Sequence, residues 1–527
     1  MYVATPPIKG KQSILEYNEF NKQDSQSRNF RKTISDRFLE FSRSTSIHGF
    51  KYLGVRQGCT LEKIWWIVVL SICIYLCTFF TIQTLKKREE NPVFISFHQP
   101  NMHIWDIPFP AVTICPGSKI KATKYNFTQY SNRNKEDNLT GGELKRFRDM
   151  SLFCKSDYHC PFSEQGLQHS LSEEAVDDFI KHSVTIDDVF ELCKTNRTPY
   201  KCNEFLSPTL TMVGLCFSFN MLDKTELFHN ITSIRGDHVR HNKTRFWTAD
   251  DNYAKTMNRT VPMRITSIND GLYFRLHLNK SDIDELCDKS QGYRVMLHHP
   301  AEVPLLSQRH THLSTDQSYK FWIKPNIITT STNLKDYDPH KRGCYFANEK
   351  KLKYYKVYTE PNCREECLSN YTIKICGCAL YHLPHEKSSR LCGHSDIACV
   401  FTVKEKLLSI EMKFEILEDN STFRDDQWAE GCDCLPSCTS ITYDAEIVPE
   451  QMATSPNSSF FSTTVYFTFK DSNFITMERN ELFSNTDFWA SCGGLLGLFT
   501  GFSVVSLAEI VYFSTLKWIC NLWNNRK

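Results

Sequence analysis

The chain has 527 residues, 41% of them hydrophobic, with 62 Lys and Arg against 60 Asp and Glu, a net charge of +2. That length holds two or three domains. The near-neutral balance and the lack of basic runs interleaved with aromatics argue against a nucleic-acid partner.

Residues 1–63 form a polar tail with eleven Lys and Arg against six Asp and Glu. No apolar signal-peptide core precedes the first apolar segment, so that segment is expected to direct membrane targeting. Near its end lies Ser46-Ile47-His48-Gly49-Phe50; on residue types alone, His48-Gly49 reads as a turn carrying a solvated histidine. The first predicted span is Ile64–Leu85, uncharged, with Trp65 and Trp66 at its start as interfacial anchors. Lys86-Lys87-Arg88 follows it, offset by Glu89 and Glu90. The larger basic excess of the amino-terminal tail places that tail on the cytoplasmic side.

Residues 86–487 hold seventeen of the 22 cysteines, a density that marks an oxidised, disulfide-stapled region. All ten glycosylation sequons fall there too, at Asn126, Asn138, Asn196, Asn230, Asn242, Asn258, Asn279, Asn370, Asn420 and Asn457. The region therefore reads as extracellular. Strand-like runs are Ala111–Cys115, Gly214–Asn220, Leu272–Leu278 and Thr464–Phe469. Helix-like runs are Glu173–Lys181, Ser281–Lys289 and Pro361–Asn370, giving a mixed α+β domain.

The block Cys344–Cys438 carries the densest cysteines. Cys363 and Cys367 are four apart, on one face of a predicted helix; Cys432 and Cys434 are two apart, on one face of a predicted extended segment. Antiparallel packing of the two would pair Cys363 with Cys434 and Cys367 with Cys432. Cys376 and Cys378 repeat the two-residue spacing and have Cys399 and Cys392 as possible partners, though spacing leaves the connectivity open. Zinc is the competing reading of such pairs and is disfavoured outside the cell. Cys154 with Cys160, and Cys193 with Cys202, bracket short loops. Seventeen is odd, and Cys287, with no local partner, is the candidate leftover. His298-His299 and His310/His312 read as solvated rather than as a metal site or proton sensor.

The second predicted span is Phe488–Leu516. Glycine inside a helix costs about 1 kcal/mol relative to alanine, yet Gly493, Gly494, Gly497 and Gly501 all sit here. Glu509 lies deeper, where a carboxylate costs on the order of 3 kcal/mol unless water, a cation or a partner meets it. Close helix packing accounts for the glycines but leaves Glu509 stranded. A helix broken at Gly501-Phe502-Ser503, exposing carbonyls to an aqueous path, accounts for both. Residues 517–527 carry Lys517, Arg526 and Lys527 with no acid, a second cytoplasmic tail. There is no Gly-rich phosphate loop, Gly-x-Ser-x-Gly elbow or His-Glu-x-x-His helix, so no enzyme activity, cofactor or metal is expected. The fold class is a membrane protein with two transmembrane helices and a large disulfide-rich α+β extracellular domain.

These motifs in this order resemble the degenerin/epithelial sodium channel superfamily, and within it the insect pickpocket branch. The resemblance rests on Ser46-Ile47-His48-Gly49, on Trp105-x-Ile107-Pro108-Phe109-Pro110-Ala111-Val112-Thr113-Ile114-Cys115-Pro116, and on Gly214-x-Cys216-x-x-Phe219-Asn220. It continues through the cysteine block to Gly493-Gly494-x-x-Gly497-Leu498-Phe499-x-Gly501-x-Ser503 and Glu509. It implies a plasma-membrane subunit of a trimeric, amiloride-sensitive-type sodium channel, with both termini cytoplasmic, gated by an extracellular stimulus in a sensory setting. Its partners would be sodium ions, the lipid bilayer and identical or related subunits. The selectivity filter would be Gly501, Phe502 and Ser503, with Ala490 at the outer pore mouth and His48-Gly49 in gating. The family's disulfide pattern would be Cys115–Cys216, Cys193–Cys202, Cys344–Cys438, Cys363–Cys434, Cys367–Cys432, Cys376–Cys399 and Cys378–Cys392, with Cys154–Cys160 added. Phe502 is larger than the small residue common at the filter's middle position. Tyr512 stands where acid-sensing members carry a second pore acid, and Lys341-Arg342-Gly343 replaces the tryptophan those members place before Cys344. Two alternatives share the topology: a two-span ATP-gated channel, which would need a second basic cluster beside Lys86-Lys87-Arg88, and a non-conducting regulatory or adhesion subunit, which leaves Glu509 unexplained.

Overall fold

A computed structural model of the chain describes residues 39–53, 59–90, 92–135, 138–154, 170–195, 198–204, 206–234, 262–265, 267–287, 291–306, 309–416, 431–452 and 458–524. These form two units, one spanning Ile95–Asn480 and the other made of the segments on either side of it.

The Ile95–Asn480 unit is built on two sheets. The larger has eight strands, ordered Val93–His103, Asn473–Glu481, Gln317–Thr330, Phe460–Phe469, Leu272–Asn279, Phe190–Thr195 and Thr198–Tyr200, with Ser440–Gln451 also paired to Gln317–Thr330. The smaller is antiparallel, ordered Thr311–Leu313, Tyr293–His298, Ala111–Pro116, Gly214–Phe219 and Leu206–Thr211. Strict alternation of buried and part-exposed residues along Leu272–Asn279 gives that strand one apolar face. Its Phe274 packs there with Phe321, Phe467 and Phe469 from other strands of the sheet.

Two sequence motifs meet in the smaller sheet. The register Ile114↔Phe217 continues to set Cys115 opposite Cys216, and the two are bonded. Thr113 and Ser218 share a buried hydroxyl contact at 2.8 Å. Asn220, in the left-handed region at φ 61°, ends its strand and donates from Nδ2 to the Phe109 carbonyl at 2.6 Å.

The cysteine block is a pair of helices. Glu360–Cys376 begins at the Thr359 cap with Pro361 in its first turn and stops at Gly377, left-handed at φ 66°. Buried Glu366 accepts from the Lys353 and Tyr354 N–H groups, clamping the preceding loop to this helix. The second helix is Ile397–Ile416. Cys363–Cys434, Cys367–Cys432, Cys376–Cys399 and Cys378–Cys392 staple the block, while Cys344–Cys438 and Cys193–Cys202 close other loops. Cys432 and Cys434 do not lie on an extended strand as expected; the chain is irregular there and turns through Asp433 at φ 44°.

Three further expectations are corrected. The described residues of Ser281–Lys289, which end at Cys287, do not form the expected helix: Lys280–Asp282 makes a 3₁₀ turn and an irregular turn follows. The Asp284 carboxylate takes the N–H groups of Leu286, Cys287 and Thr128 instead, a local competitor of helical bonding. That turn presents Cys287 to Cys154, so Cys287 is not left over, and Cys154 bonds with it across 133 residues rather than with Cys160. Cys160 lies outside the described residues. His298 and His299 are not solvated: they are 3% and 4% exposed. Burial lowers their pKa values to about 4 and 3 and raises that of Glu302 to about 8. His310 and His312 are exposed.

In the other unit, Thr60–Glu90 is the one described helix long and apolar enough by itself to cross a bilayer. A second crossing exists where Asn485–Thr500 and Val504–Leu516, bent by 73° at their junction, are counted as one span. Ser484 and Asp487 form a capping box that starts this helix at Asn485.

Candidate functional site

The candidate site is the junction within the second apolar segment. The helix Asn485–Thr500 ends at Gly501, whose φ of 67° is left-handed and whose N–H donates to the Gly497 carbonyl at 2.9 Å. Only glycine takes that conformation at no steric cost. The next helix, Val504–Val511, starts at Ser503, whose hydroxyl accepts from the Ser506 N–H at 3.3 Å. Phe502 is thus left between two helix ends, at a point where backbone groups lack intrahelical partners. A π-helical turn, Tyr512–Leu516, follows.

Residues 39–53 lie along this junction as a strap. The His48 N–H donates to the Thr500 carbonyl at 3.0 Å. A Cβ placed on Gly501 would sit 2.6 Å from the His48 ring, so glycine at 501 permits this docking as well as the turn. The Glu509 carboxylate accepts from the Ser46 N–H at 3.0 Å, the Ser46 hydroxyl at 3.2 Å and the Thr45 hydroxyl at 3.4 Å. Ser46 and fully buried Ser506 have their hydroxyl oxygens 2.7 Å apart. Glu509 thereby finds neutral hydrogen-bond donors, which offsets its desolvation. Gly49, at φ 79°, lies against Leu70 and Trp66, and Tyr52 stacks on Trp66 with centroids 4.3 Å apart. His48 is an exposed turn residue, as its residue type suggests, and its backbone N–H rather than its ring makes the hydrogen bond to Thr500.

The remaining predicted residues divide by face. Cys492 is buried and Phe499 stacks on Phe80 of Thr60–Glu90 at 5.9 Å. At about 100° per residue, Ala490, Gly494, Gly497 and Gly501 fall roughly 140–200° from Cys492, on the opposite side. A Cβ added to Gly493 or Gly494 would meet nothing within 4 Å, and at Gly497 only the Phe502 carbonyl at 4.0 Å. Within one chain this face is bare from Gly493 to Gly497 and is covered only at Gly501, by His48. At the other end of the spans, Arg88 donates to Asn485 at 2.6 Å and lies over the Phe488 ring at 5.2 Å.

The residues that sequence reasoning missed are Thr45, Ser46 and Ser506. Ser503-x-x-Ser506 is legible as a cap, but nothing in sequence marks Ser46 as a donor to a carboxylate 463 positions away. Of the sequons, Asn126, Asn138, Asn230 and Asn370 are exposed, and Asn279 is half-buried with its side-chain oxygen accepting from the Ser281 N–H at 3.1 Å. Asn196, Asn242, Asn258, Asn420 and Asn457 lie outside the described residues.

Residues 41–513 match the family model described as amiloride-sensitive sodium channel. The chain is similar to Pickpocket protein 28 of Drosophila melanogaster, 25% identical with 95% of this chain and 82% of that protein covered. It is 21% identical to Sodium channel protein Nach of the same organism, over 92% of this chain and 87% of the relative. Acid-sensing ion channel 1A of Danio rerio is 19% identical, over 89% and 86% respectively.

Proposed function

Because the chain belongs to the amiloride-sensitive sodium channel family, in its pickpocket-like branch, and is a channel protein rather than an enzyme, we propose that three subunits surround one sodium-conducting pore in the plasma membrane. The pore would be lined by Ala490, Gly494, Gly497 and the Gly501–Ser503 junction, with Gly493 at the subunit contact. Both termini are cytoplasmic in this reading, the disulfide-rich unit is extracellular, and the partner subunits are identical or related chains. The ten sequons would carry the glycans.

One observation supports the reading most: the glycine face is uncovered within a chain and ends at a helix break held by the strap. Small residues let helices of neighbouring subunits approach an axis closely. Carbonyls freed at the break replace part of an ion's hydration shell. While the strap is docked, Glu509 is occupied by Ser46 and Thr45; when the strap leaves, three carboxylates become available to attract cations. His48 and Gly49 then act in gating by holding the strap, and an extracellular stimulus in a sensory cell shifts the balance between the two arrangements.

The test is expression of the chain alone with recording in sodium, in potassium and with amiloride. A sodium current blocked by amiloride is expected. Ala490→Val, which places bulk on the bare face, should give a constitutive current; normal surface delivery with no leak would remove Ala490 from the pore mouth.

A further inference from the structure

A cavity of about 110 Å³ opens between the two helices of the cysteine block and the loops beside them. Its floor is apolar: Met212, Leu305, Leu368, Leu380 and Leu407 line it, with the exposed rings and chains of Phe401 and Leu408 continuing the apolar surface outward. Three polar side chains face the same space, Glu365, His382 and Lys404. Arg364 also borders it but is engaged with Glu360, Nε to Oε1 at 3.1 Å. Lys404 is half-buried and forms no ion pair among the described residues. The His382 Nδ1 is buried without a hydrogen-bond partner among them.

We propose that this cavity binds a small amphipathic monocarboxylate of about six carbons, its chain on the leucine floor and its carboxylate on the Lys404 ammonium with His382 beside it. Size sets the length: a dry cavity of about 150 Å³ accepts benzene, so 110 Å³ takes a short alkyl segment, with Phe401 and Leu408 covering what protrudes. Charge sets the head group. Burial raises the Glu365 carboxyl to about 7, which reduces its repulsion of an incoming anion. The half-buried Lys404 ammonium, whose counterpart in this cavity is the partly protonated Glu365 carboxyl, gains from a carboxylate that arrives already ionised. The site spans the helices joined by Cys376–Cys399 and the loops carrying Met212 and Leu305, so occupancy would brace one against the other. It thus supplies a chemical class for the extracellular stimulus, and rests on the channel reading only for its effect on current.

Saturation-transfer NMR of hexanoate on the full-length protein in nanodiscs reads occupancy whether or not the chain conducts. Hexanol serves as the probe of plain apolar partitioning. Hexanoate should give a saturable signal that hexanol does not match. Lys404→Gln should weaken it about tenfold, the scale of a lost charge-assisted contact, whereas Lys404→Arg retains it. An equal signal from hexanol, or a hexanoate signal untouched by Lys404→Gln, would overturn the site. A failed recording with intact hexanoate binding would count against the channel reading alone.

Discussion

The two units of this chain are held by different forces. In Ile95–Asn480, eight disulfides close loops of 9 to 133 residues around a core of buried aromatic and aliphatic side chains. Such bonds contribute about 2–5 kcal/mol each, more for longer loops, mainly by restricting the unfolded chain. In the two-span unit, the strap is fixed by a few hydrogen bonds around Glu509 and Thr500, by one part-exposed ion pair between Glu40 and Lys517, and by ring contacts such as Tyr52 on Trp66 and Phe41 on Phe513. Each of those contributes about 0.5–1.5 kcal/mol, the screened ion pair less. Moving a two-state element from one end of its equilibrium to the other takes about 5.5 kcal/mol. A sum of a few weak contacts is on that scale, and a net of disulfides is far above it. The stapled unit is held to one shape, whereas the strap is held weakly enough for the release that the proposed gating requires.

Removing a staple should produce the largest effect. Cys154→Ser with Cys287→Ser opens a 133-residue separation, at an expected cost of about 4–5 kcal/mol. The measurement is the melting temperature and surface yield of the full-length protein; an unchanged melt would break the contrast between the units. Non-reducing peptide mapping should recover Cys154 joined to Cys287, and recovery of Cys154 with Cys160 would show the short-loop pairing instead.

Next comes Gly501→Ala. The left-handed conformation costs a non-glycine residue about 1–2 kcal/mol, and the new methyl would also lie 2.6 Å from the His48 ring. The strap should be expelled while the melt of the stapled unit stays where it was. Cysteines introduced by Ser46→Cys and Ser506→Cys, whose hydroxyls stand 2.7 Å apart, report docking directly. Crosslinking should be fast with Gly501 and lost with alanine; equal rates would mean that His48 does not depend on the bare backbone at 501.

The buried cluster of His298, His299 and Glu302 makes stability of the stapled unit depend on pH in both directions. The histidines have folded pKa values below the ordinary 6.5, so below pH 6.5 the unfolded chain takes up protons that the folded one refuses, and stability is lost on acidification. Glu302 is raised to about 8, so between about 4.5 and 8 the unfolded chain ionises it while the folded one does not, and stability falls as pH rises. Each group contributes about 1.4 kcal/mol per pH unit. Two histidines against one acid leave a maximum near pH 6.5, with a loss of about 1.4 kcal/mol at pH 5 and about 0.9 kcal/mol at pH 8. Glu302→Gln should flatten the alkaline limb, and a melt independent of pH would show that these groups are hydrated.

Much of the fold was legible because local rules agreed with the tertiary outcome. Leu272–Asn279 alternates as a half-buried strand must, and Glu360–Cys376 carries its own cap, proline and terminal glycine. What could not be read has no local signature. Asp284 turned a helix-like stretch into a carboxylate-centred turn, and only that turn brings Cys287 to a partner 133 positions earlier. At the candidate site, the glycines and Glu509 stood out because each is costly where it sits. Their partners Thr45 and Ser46 did not, since serine and threonine in a polar tail cost nothing and follow no period. His298 and His299 are buried against expectation because residue type predicts exposure only on average.

The smallest effect tests the contrast most finely. Tyr52 lies on Trp66 with planes 7° apart, and its ring is partly exposed. An aromatic pair of this kind contributes about 0.5–1.5 kcal/mol beyond the area it buries. Tyr52→Ala should therefore shift the balance between docked and released strap about fivefold, a loss of about 1 kcal/mol. Crosslinking between Ser46→Cys and Ser506→Cys should slow by that factor, and the recorded channel should open more readily, since release of the strap exposes Glu509. Tyr52→Phe keeps the ring and should behave as the parent. No change in the melt of the stapled unit is expected from either. A shift in that melt would show the two units to be one cooperative structure, and the division between a rigid part and a part poised to move would fail at its weakest contact.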